Sequence, residues 1–297
     1  MTLKLRWFRF YSFLLTRLPA VFGARFRRNH HEQIKQAVTV RFFAKNYVPK
    51  IPQFNSQTSR EMPETLWQYW AQGADSAPEL VQACFRTAEK FSGERKHIII
   101  DNKTLSHYAD LPAYIHDRFR AGEISYAHFS DLVRMELLYR HGGYWLDATN
   151  YMTDEIPQWI DALDFFVFHD RTVGYPYSFM QNCFIRSVKG AFLLEAWRAM
   201  CFEYWKNENK NLDYFQHQLM FKAMIENSAK AKKCYAQMPN IDQEPTHRFA
   251  KEKLYSEFDA EEFKRLTADA FFQKLSHHNV PANVSANTNY AHLIKMA

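Results

Sequence analysis

The sequence has no long hydrophobic run. The best candidate, Trp7 to Leu15, is interrupted by Arg9 and followed at once by Arg17, well short of the roughly 18 apolar residues that cross a bilayer. Lys4 and Arg6 give the basic start of a secretory signal, but the apolar stretch Phe10 to Leu15 is too short to complete one, so secretion is not expected. Cysteine is sparse. Cys84, Cys183, Cys201 and Cys234 stand isolated, with no CxxC and no metal-finger spacing, which fits ordinary buried thiols in a reducing compartment. Internal repeats and low-complexity segments are absent. So is a basic face outside the N-terminus. Residues 1–50 carry eleven Lys/Arg against one acid, Glu32, and the rest of the chain is mildly acidic although the net charge is +6. A body without a basic face, and without a recognised nucleic-acid module, argues against nucleic acid as a partner.

What is present is enough for a core. The 297 residues are 47% hydrophobic and 24% charged, a globular composition rather than a disordered one. Aromatic residues make up 16%, which suits either a thick core or a site that stacks on flat ligands. Residues 1–47 read as one or two basic amphipathic helices. Trp7, Phe8, Tyr11, Leu14, Leu15 and Leu18 follow helical spacing, with Lys4, Arg6, Arg9 and Arg17 among them and a cluster at Arg25, Arg27 and Arg28. Buried rings beside phosphate-facing cations are what an interfacial helix needs, so an anionic membrane surface is the expected partner; a helix packed on the core is the alternative. Residues 48–63, with Pro49, Pro52 and Pro63, read as a linker. The body is then 64–297.

The body opens with an alternating run, Thr65 to Trp70, which predicts a strand. Glu79 to Phe91 has helical spacing and ends at Ser92-Gly93. Lys96 to Asp101 contains three consecutive isoleucines, the pattern of a fully buried parallel strand. Strand, helix and strand form a βαβ unit, and Asp101-Asn102 falls at the carboxyl end of its second strand, where open α/β sheets bind ligands. A short helix is predicted over Leu111 to Arg120. Further strands are predicted at Phe165 to His169 and Asn182 to Ile185, and further helices at Ala191 to Lys206 and Leu212 to Asn227. Residues 228–297 mix polar and aromatic residues and give no clear period.

The most informative stretch is Ser125 to Thr149. It predicts a helix, a Gly142-Gly143 stop and a short strand ending on Asp147. The helix is apolar nearly all round yet carries Asp131, Arg134, Glu136 and Arg140. At 100° per residue, Asp131 and Arg134 lie about 60° apart on one side, and Glu136 and Arg140 about 40° apart on the other. Charges on a buried helix must be paired or face a polar cavity. The strand runs back along the helix. Its three to four residues cover roughly 10–13 Å, which sets Asp147 level with residues 132–134. Two carboxylates and a guanidinium then meet at a strand's carboxyl end. They can hold a hard divalent cation or fix ribose hydroxyls, while the Arg binds an anion; equally, they can be an Asp131–Arg134 ion pair beside a helix-capping Asp147.

Ser130-Asp131-Leu132-Val133-Arg134, Gly142-Gly143 and Tyr144-Trp145-Leu146-Asp147-Ala148-Thr149 resemble the capsular polysaccharide synthesis proteins. They also resemble the related glycosyltransferases that include a group of mannosyltransferases and the large clostridial glucosylating toxins. Those share S-D-x-x-R on a helix, G-G, and an aromatic strand ending in D-x-D. The stretches Leu66 to Gly73, Asn182 to Gly190, Tyr204 to Phe221 and Lys233 to Pro239 extend the similarity over about residues 60–275. The resemblance implies a GT-A fold, an α/β sandwich with a mostly parallel central sheet and added helices. It implies transfer of a sugar from a UDP- or GDP-linked donor to a glycan or lipid-linked acceptor, with retention of configuration, at the inner face of the cell membrane. It gives Trp67 the base, Asp131 and Arg134 the ribose or donor sugar, Asp147 the ribose or a metal–diphosphate, and Asn182 the sugar. Asp147 would be the protein ligand to Mn²⁺ or Mg²⁺. Thr149 stands where D-x-D has its second acid, and threonine is a poor ligand for such cations beside Asp. That departure supports an alternative, a membrane-associated scaffold that binds sugar nucleotides without turnover. His277-His278 and Asp154-Glu155 are other candidate ligands, for which a solvated surface is the preferred reading. Trp70, Trp145 and Trp197 are expected in the core.

Overall fold

The computed structural model describes residues 6, 8–10, 24–62, 64–171, 177, 179–249, 251–278, 280, 281 and 283–297. Side chains of residues 24–30, 251 and 252 are outside the description, as is most of the basic segment before residue 24, including Trp7, Tyr11, Leu14, Leu15, Arg17 and Leu18. Among the described residues no helix is long and apolar enough to cross a membrane.

Residues 6 and 8–10 are helical, and the first helix described in full is α1, Ala24–Asn46. Then follow β1 Thr65–Tyr69, α2 Glu79–Lys90, β2 Lys96–Ile100, α3 Ala113–Arg120, α4 Tyr126–His141, β3 Gly143–Leu146 and β4 Asn150–Met152. The second half holds α5 Gln158–Asp161, β5 Phe165–Val167, β6 Phe184–Ser187, α6 Phe192–Asn207, α7 Gln216–Asn227 and α8 Ala229–Ala236. It closes with α9 Lys251–Leu254, α10 Ala260–Thr267, β7 Phe272–Lys274 and α11 Asn289–Met296. Five strands form a central sheet in the order β2-β1-β3-β6-β5. β2, β1 and β3 pair in parallel, and β6 runs antiparallel to both β3 and β5. Four strands therefore share one direction. β4 and β7 form a separate antiparallel ribbon.

The triple isoleucine of β2 does not make a fully buried strand. β2 lies at the sheet edge, bonded only to β1, and only Ile100 is buried while Ile98 and Ile99 are half-buried. β3 is the buried centre, with all four residues inaccessible. Residues 36–47, grouped by charge with the basic N-terminal segment, are partly core. Val40, Phe42, Phe43 and Tyr47 join the main hydrophobic cluster, the Phe43 and Tyr204 rings pack edge to face, and Lys35 pairs with Asp213 at 2.9 Å. Only one face of this stretch is charged, so its other face can pack.

The helix–Gly-Gly–strand unit forms as expected. Ser125 caps α4, its hydroxyl accepting from the His128 backbone N–H. Gly142 ends the helix at φ +69°, a conformation costly for any residue with a Cβ. Gly143, at φ +96°, brings β3 so close to β1 that a Cβ would collide with the Thr65 carbonyl. On the far side of α4 the buried Glu136 carboxylate is held by Arg140 and Arg198, both at 2.6 Å.

Candidate functional site

The site lies where β1, β2 and β3 end and β6 begins, because antiparallel β6 starts at the edge where its neighbours stop. Asp147 is the first residue beyond β3. Its backbone N–H donates to the Cys183 carbonyl at 2.8 Å, and its own carbonyl accepts from Asn150 N–H at 2.9 Å and from Gln68 Nε2 at 3.3 Å. The main chain is thus fixed on three sides before the carboxylate is considered.

The expected cluster assembles. Arg134 Nη2 lies 3.2 Å from Asp131 Oδ1 and 3.2 Å from Asp147 Oδ1, as the rise count from His141 required. Asn182 joins through its side-chain amide, which donates to Asp131 Oδ1 at 3.0 Å. Arg134 is 5% exposed and heavily engaged. Its Nη1 donates to the Asn182 carbonyl, its Nε to the Ser130 carbonyl, and its guanidinium lies over the Trp145 ring at 4.8 Å. It holds the two carboxylates together, and four of its five N–H donors are accounted for by these contacts. Asn182 is similarly occupied, sharing its amide with His217 Nδ1 at 2.8 Å and accepting from Gln218 at 3.2 Å. The second Asp131 oxygen, by contrast, has no hydrogen-bond partner among the described residues.

Two further groups complete the cluster, and neither was anticipated. Lys274, the last residue of β7, places Nζ 2.7 Å from Asp147 Oδ2 and 2.7 Å from Thr149 Oγ1. The β4–β7 ladder sets it there, pairing Lys274 with Asn150, and Leu275 N–H bonds the Thr149 carbonyl at 2.9 Å. Charge balance was the available signal. Two buried carboxylates and one guanidinium leave a net negative charge, and burial demands a second cation. The short Phe271–Leu275 stretch did not reveal which residue supplies it. The other group is His217, buried beneath Asn182 with its ring stacked on Trp197 at 3.9 Å. Burial, reinforced by Arg134, pushes its pKa well below the ordinary histidine value, so it is neutral and serves as an acceptor.

Electrostatics separates the two carboxylates. Burial raises Asp131, and Arg134 only partly offsets it. Burial also works to raise Asp147, but Lys274 and Arg134 together overcome this and bring it below the usual value. Burial opposes the Lys274 charge, yet Asp147 outweighs it and holds the ammonium above its ordinary value. Asp147 is therefore a firm anion, and Asp131 is the more easily protonated partner.

The remaining candidates divide. Trp67 is not brought to the cluster. It is 2% exposed, donates Nε1–H to the Gly142 carbonyl at 2.9 Å and packs against His141 and Tyr108. Trp145 and Trp197 are buried core residues, and Trp145 also donates to Asp147 Oδ1 at 2.8 Å. Trp70 is half-buried at the carboxyl end of β1, its ring 5.2 Å from His277. His278 is exposed and His277 half-buried. Asp154 and Glu155 are exposed, and neither is bonded to a residue of the cluster among the described residues. Asp101 closes its own turn through Oδ1, which accepts from Lys103 N–H, Thr104 N–H and the Thr104 hydroxyl.

Fold and site define an α/β protein with a charged cluster at the carboxyl ends of a mostly parallel sheet, the position such folds use for ligands. The model of the capsular polysaccharide synthesis protein family matches residues 21–293, and the chain belongs to that family. Among solved structures, the PaToxG glycosyltransferase is similar at 14% identity over 69% of this chain and 83% of that one, with a TM-score of 0.40. No curated protein matches the chain.

Proposed function

We propose that the protein is a glycosyltransferase of GT-A type that moves a sugar from a UDP- or GDP-linked donor to a glycan or lipid-linked acceptor in surface polysaccharide synthesis. The observation that carries this reading is the Asp131–Arg134–Asp147–Asn182 cluster at the carboxyl end of β3. Asp131, with one oxygen unpartnered among the described residues, accepts from ribose or donor-sugar hydroxyls. Arg134 and Asn182 hold the two carboxylates at their spacing. Trp67 is committed to packing, so Trp70, half-buried at the same edge, is the better aromatic for a base.

The transition state for glycosyl transfer has oxocarbenium character. The acceptor oxygen bonds to the anomeric carbon, the bond from that carbon to the diphosphate oxygen breaks, and the acceptor proton passes to a leaving phosphate oxygen. Such a route retains configuration and needs no separate base. Its main requirement is positive charge or hydrogen-bond donors at the diphosphate. The basic N-terminal residues would hold the enzyme to an anionic membrane surface.

A panel of UDP- and GDP-sugars, assayed for hydrolysis and for binding, tests the reading. Turnover of one donor is expected, and Asp147→Asn should remove it. Binding without turnover of any donor would favour a sugar-nucleotide scaffold. Neither binding nor turnover across the panel would refute the proposal.

A further inference from the structure

We propose that Lys274 replaces the divalent cation at this site, so that the donor diphosphate is held on an ammonium carried by the chain. The inference rests on the glycosyl-transfer reading above and names the group that receives the leaving charge.

A hard cation takes about six or more oxygen ligands and draws on carboxylates. The residues present do not fit that demand. Asp147 is the carboxylate expected to bind metal, and both its oxygens are taken: Oδ2 by Lys274 at 2.7 Å, Oδ1 by Trp145 at 2.8 Å and Arg134 at 3.2 Å. Thr149, in place of the second acid, accepts from the same ammonium at 2.7 Å. Among the described residues no group of three or more His, Cys, Asp or Glu side chains could hold a metal ion. A cation on Asp147 Oδ2 would share that oxygen with a like charge, which is unfavourable at any interior dielectric.

The lysine is also built in. Its backbone is set by the β4–β7 register and by the Leu275 bond to Thr149, and its ammonium is held by Asp147 and Thr149, both at 2.7 Å. An ammonium has three donors. Asp147 and Thr149 take two, and the third has no partner among the described residues. The side chain keeps 25% exposure, so it is not sealed from solvent. The cluster is neutral as it stands, Asp131 and Asp147 against Arg134 and Lys274. Threonine at position 149 belongs to the same solution, because it offers the ammonium an acceptor without adding a third negative charge opposite the diphosphate.

The test uses the full chain, with UDP and GDP as probes in calorimetry, in EDTA and in Mn²⁺. Wild type should bind one nucleotide with affinity that differs by less than about twofold between the two conditions, and should show no binding heat with Mn²⁺ alone. Lys274→Met should weaken nucleotide binding about ten- to hundredfold, as expected for loss of a charge-assisted contact. Lys274→Arg, which keeps the charge and protects against a folding defect, should recover most of it. Thr149→Asp combined with Lys274→Ala should convert binding to Mn²⁺ dependence. Wild-type binding that requires Mn²⁺, or Lys274→Met binding that equals wild type, would overturn the role of Lys274 and leave the glycosyl-transfer reading intact. Absence of nucleotide binding in both conditions would overturn that reading along with it.

Discussion

Replacing Arg134 with methionine should cost about 3–5 kcal/mol of folding stability, the usual penalty for breaking a buried ion pair from one side. Methionine fills much of the same volume, so the loss is chiefly electrostatic. Arg134 is 5% exposed and lies 3.2 Å from both Asp131 and Asp147, leaving Lys274 as the other cation bonded to either. The pH dependence separates this cause from lost packing. Without the guanidinium both carboxylates shift upward in the folded state while their unfolded values stay put. An acid with a raised folded pKa carries no penalty below its unfolded pKa, and the full penalty above its folded one. Each unit of upward shift adds about 1.4 kcal/mol to that penalty. The deficit of Arg134→Met against wild type should therefore be smallest at about pH 3, below the usual aspartate value, and grow toward about pH 8. Urea denaturation at both values measures it. Asp131→Asn in the Arg134→Met background should restore part of the stability at pH 8, since Asp131 is the carboxylate that burial already raises. A deficit equal at both pH values, or no rescue by Asp131→Asn, would show that Arg134 acts through packing alone.

Asp147→Asn should cut transfer by about 10²–10³-fold while circular dichroism stays that of wild type; activity within tenfold of wild type would remove Asp147 from the site. Gly143→Ala should destabilise the protein by at least about 3 kcal/mol, since both the backbone angle and the Thr65 carbonyl exclude a Cβ; a normal melting temperature would contradict the close β1–β3 approach. Deleting residues 1–30 should abolish sedimentation with anionic vesicles and lower the melting temperature only as far as loss of the Phe8 contact with Phe42 requires, whereas deleting 1–47 should prevent folding by removing Phe43 and Tyr47; vesicle binding by the shorter deletion would refute the membrane role. In Ellman titration of the native protein at pH 8, Cys234 should react first. Cys84 and Cys183 are buried, with thiols pushed up to about 12 and about 11 by burial, and rapid reaction of either would contradict the packing around them.

How much of this was legible in the sequence depended on the range of the interaction. The α4–β3 unit was readable because every determinant is local. Ser125 caps, Gly142 and Gly143 turn, and the helical and strand rises alone set Asp147 beside Arg134. The position of β2 was not, because a run of isoleucines reports β propensity and not neighbours. Only the order β2-β1-β3 shows that Ile98 and Ile99 lie at an edge. The role of residues 36–47 was obscured for a similar reason. Charge dominates the count along α1, while Phe43 and Tyr47 bury a face that only α6 and α7 reveal. Trp67 looked like a base platform, yet its indole N–H is needed by the Gly142 carbonyl at the helix end.

Lys274 marks the limit of local reading most clearly, since it reaches Asp147 across 127 positions of sequence. No period or turn signal in residues 228–297 places it there. The requirement for it, however, was already present. Asp131, Arg134 and Asp147 on a buried helix–strand unit sum to one unpaired negative charge, and an uncompensated buried carboxylate is unstable. Either a bound cation or a distant basic residue had to complete the set. Thr149 favours the second solution, because a hydroxyl in place of an acid withdraws a ligand from a metal but supplies an acceptor to an ammonium. The same argument couples fold to function. The β4–β7 ribbon that carries Lys274 also bonds the chain immediately after Asp147, so loosening that ribbon should weaken nucleotide binding before it unfolds the central sheet.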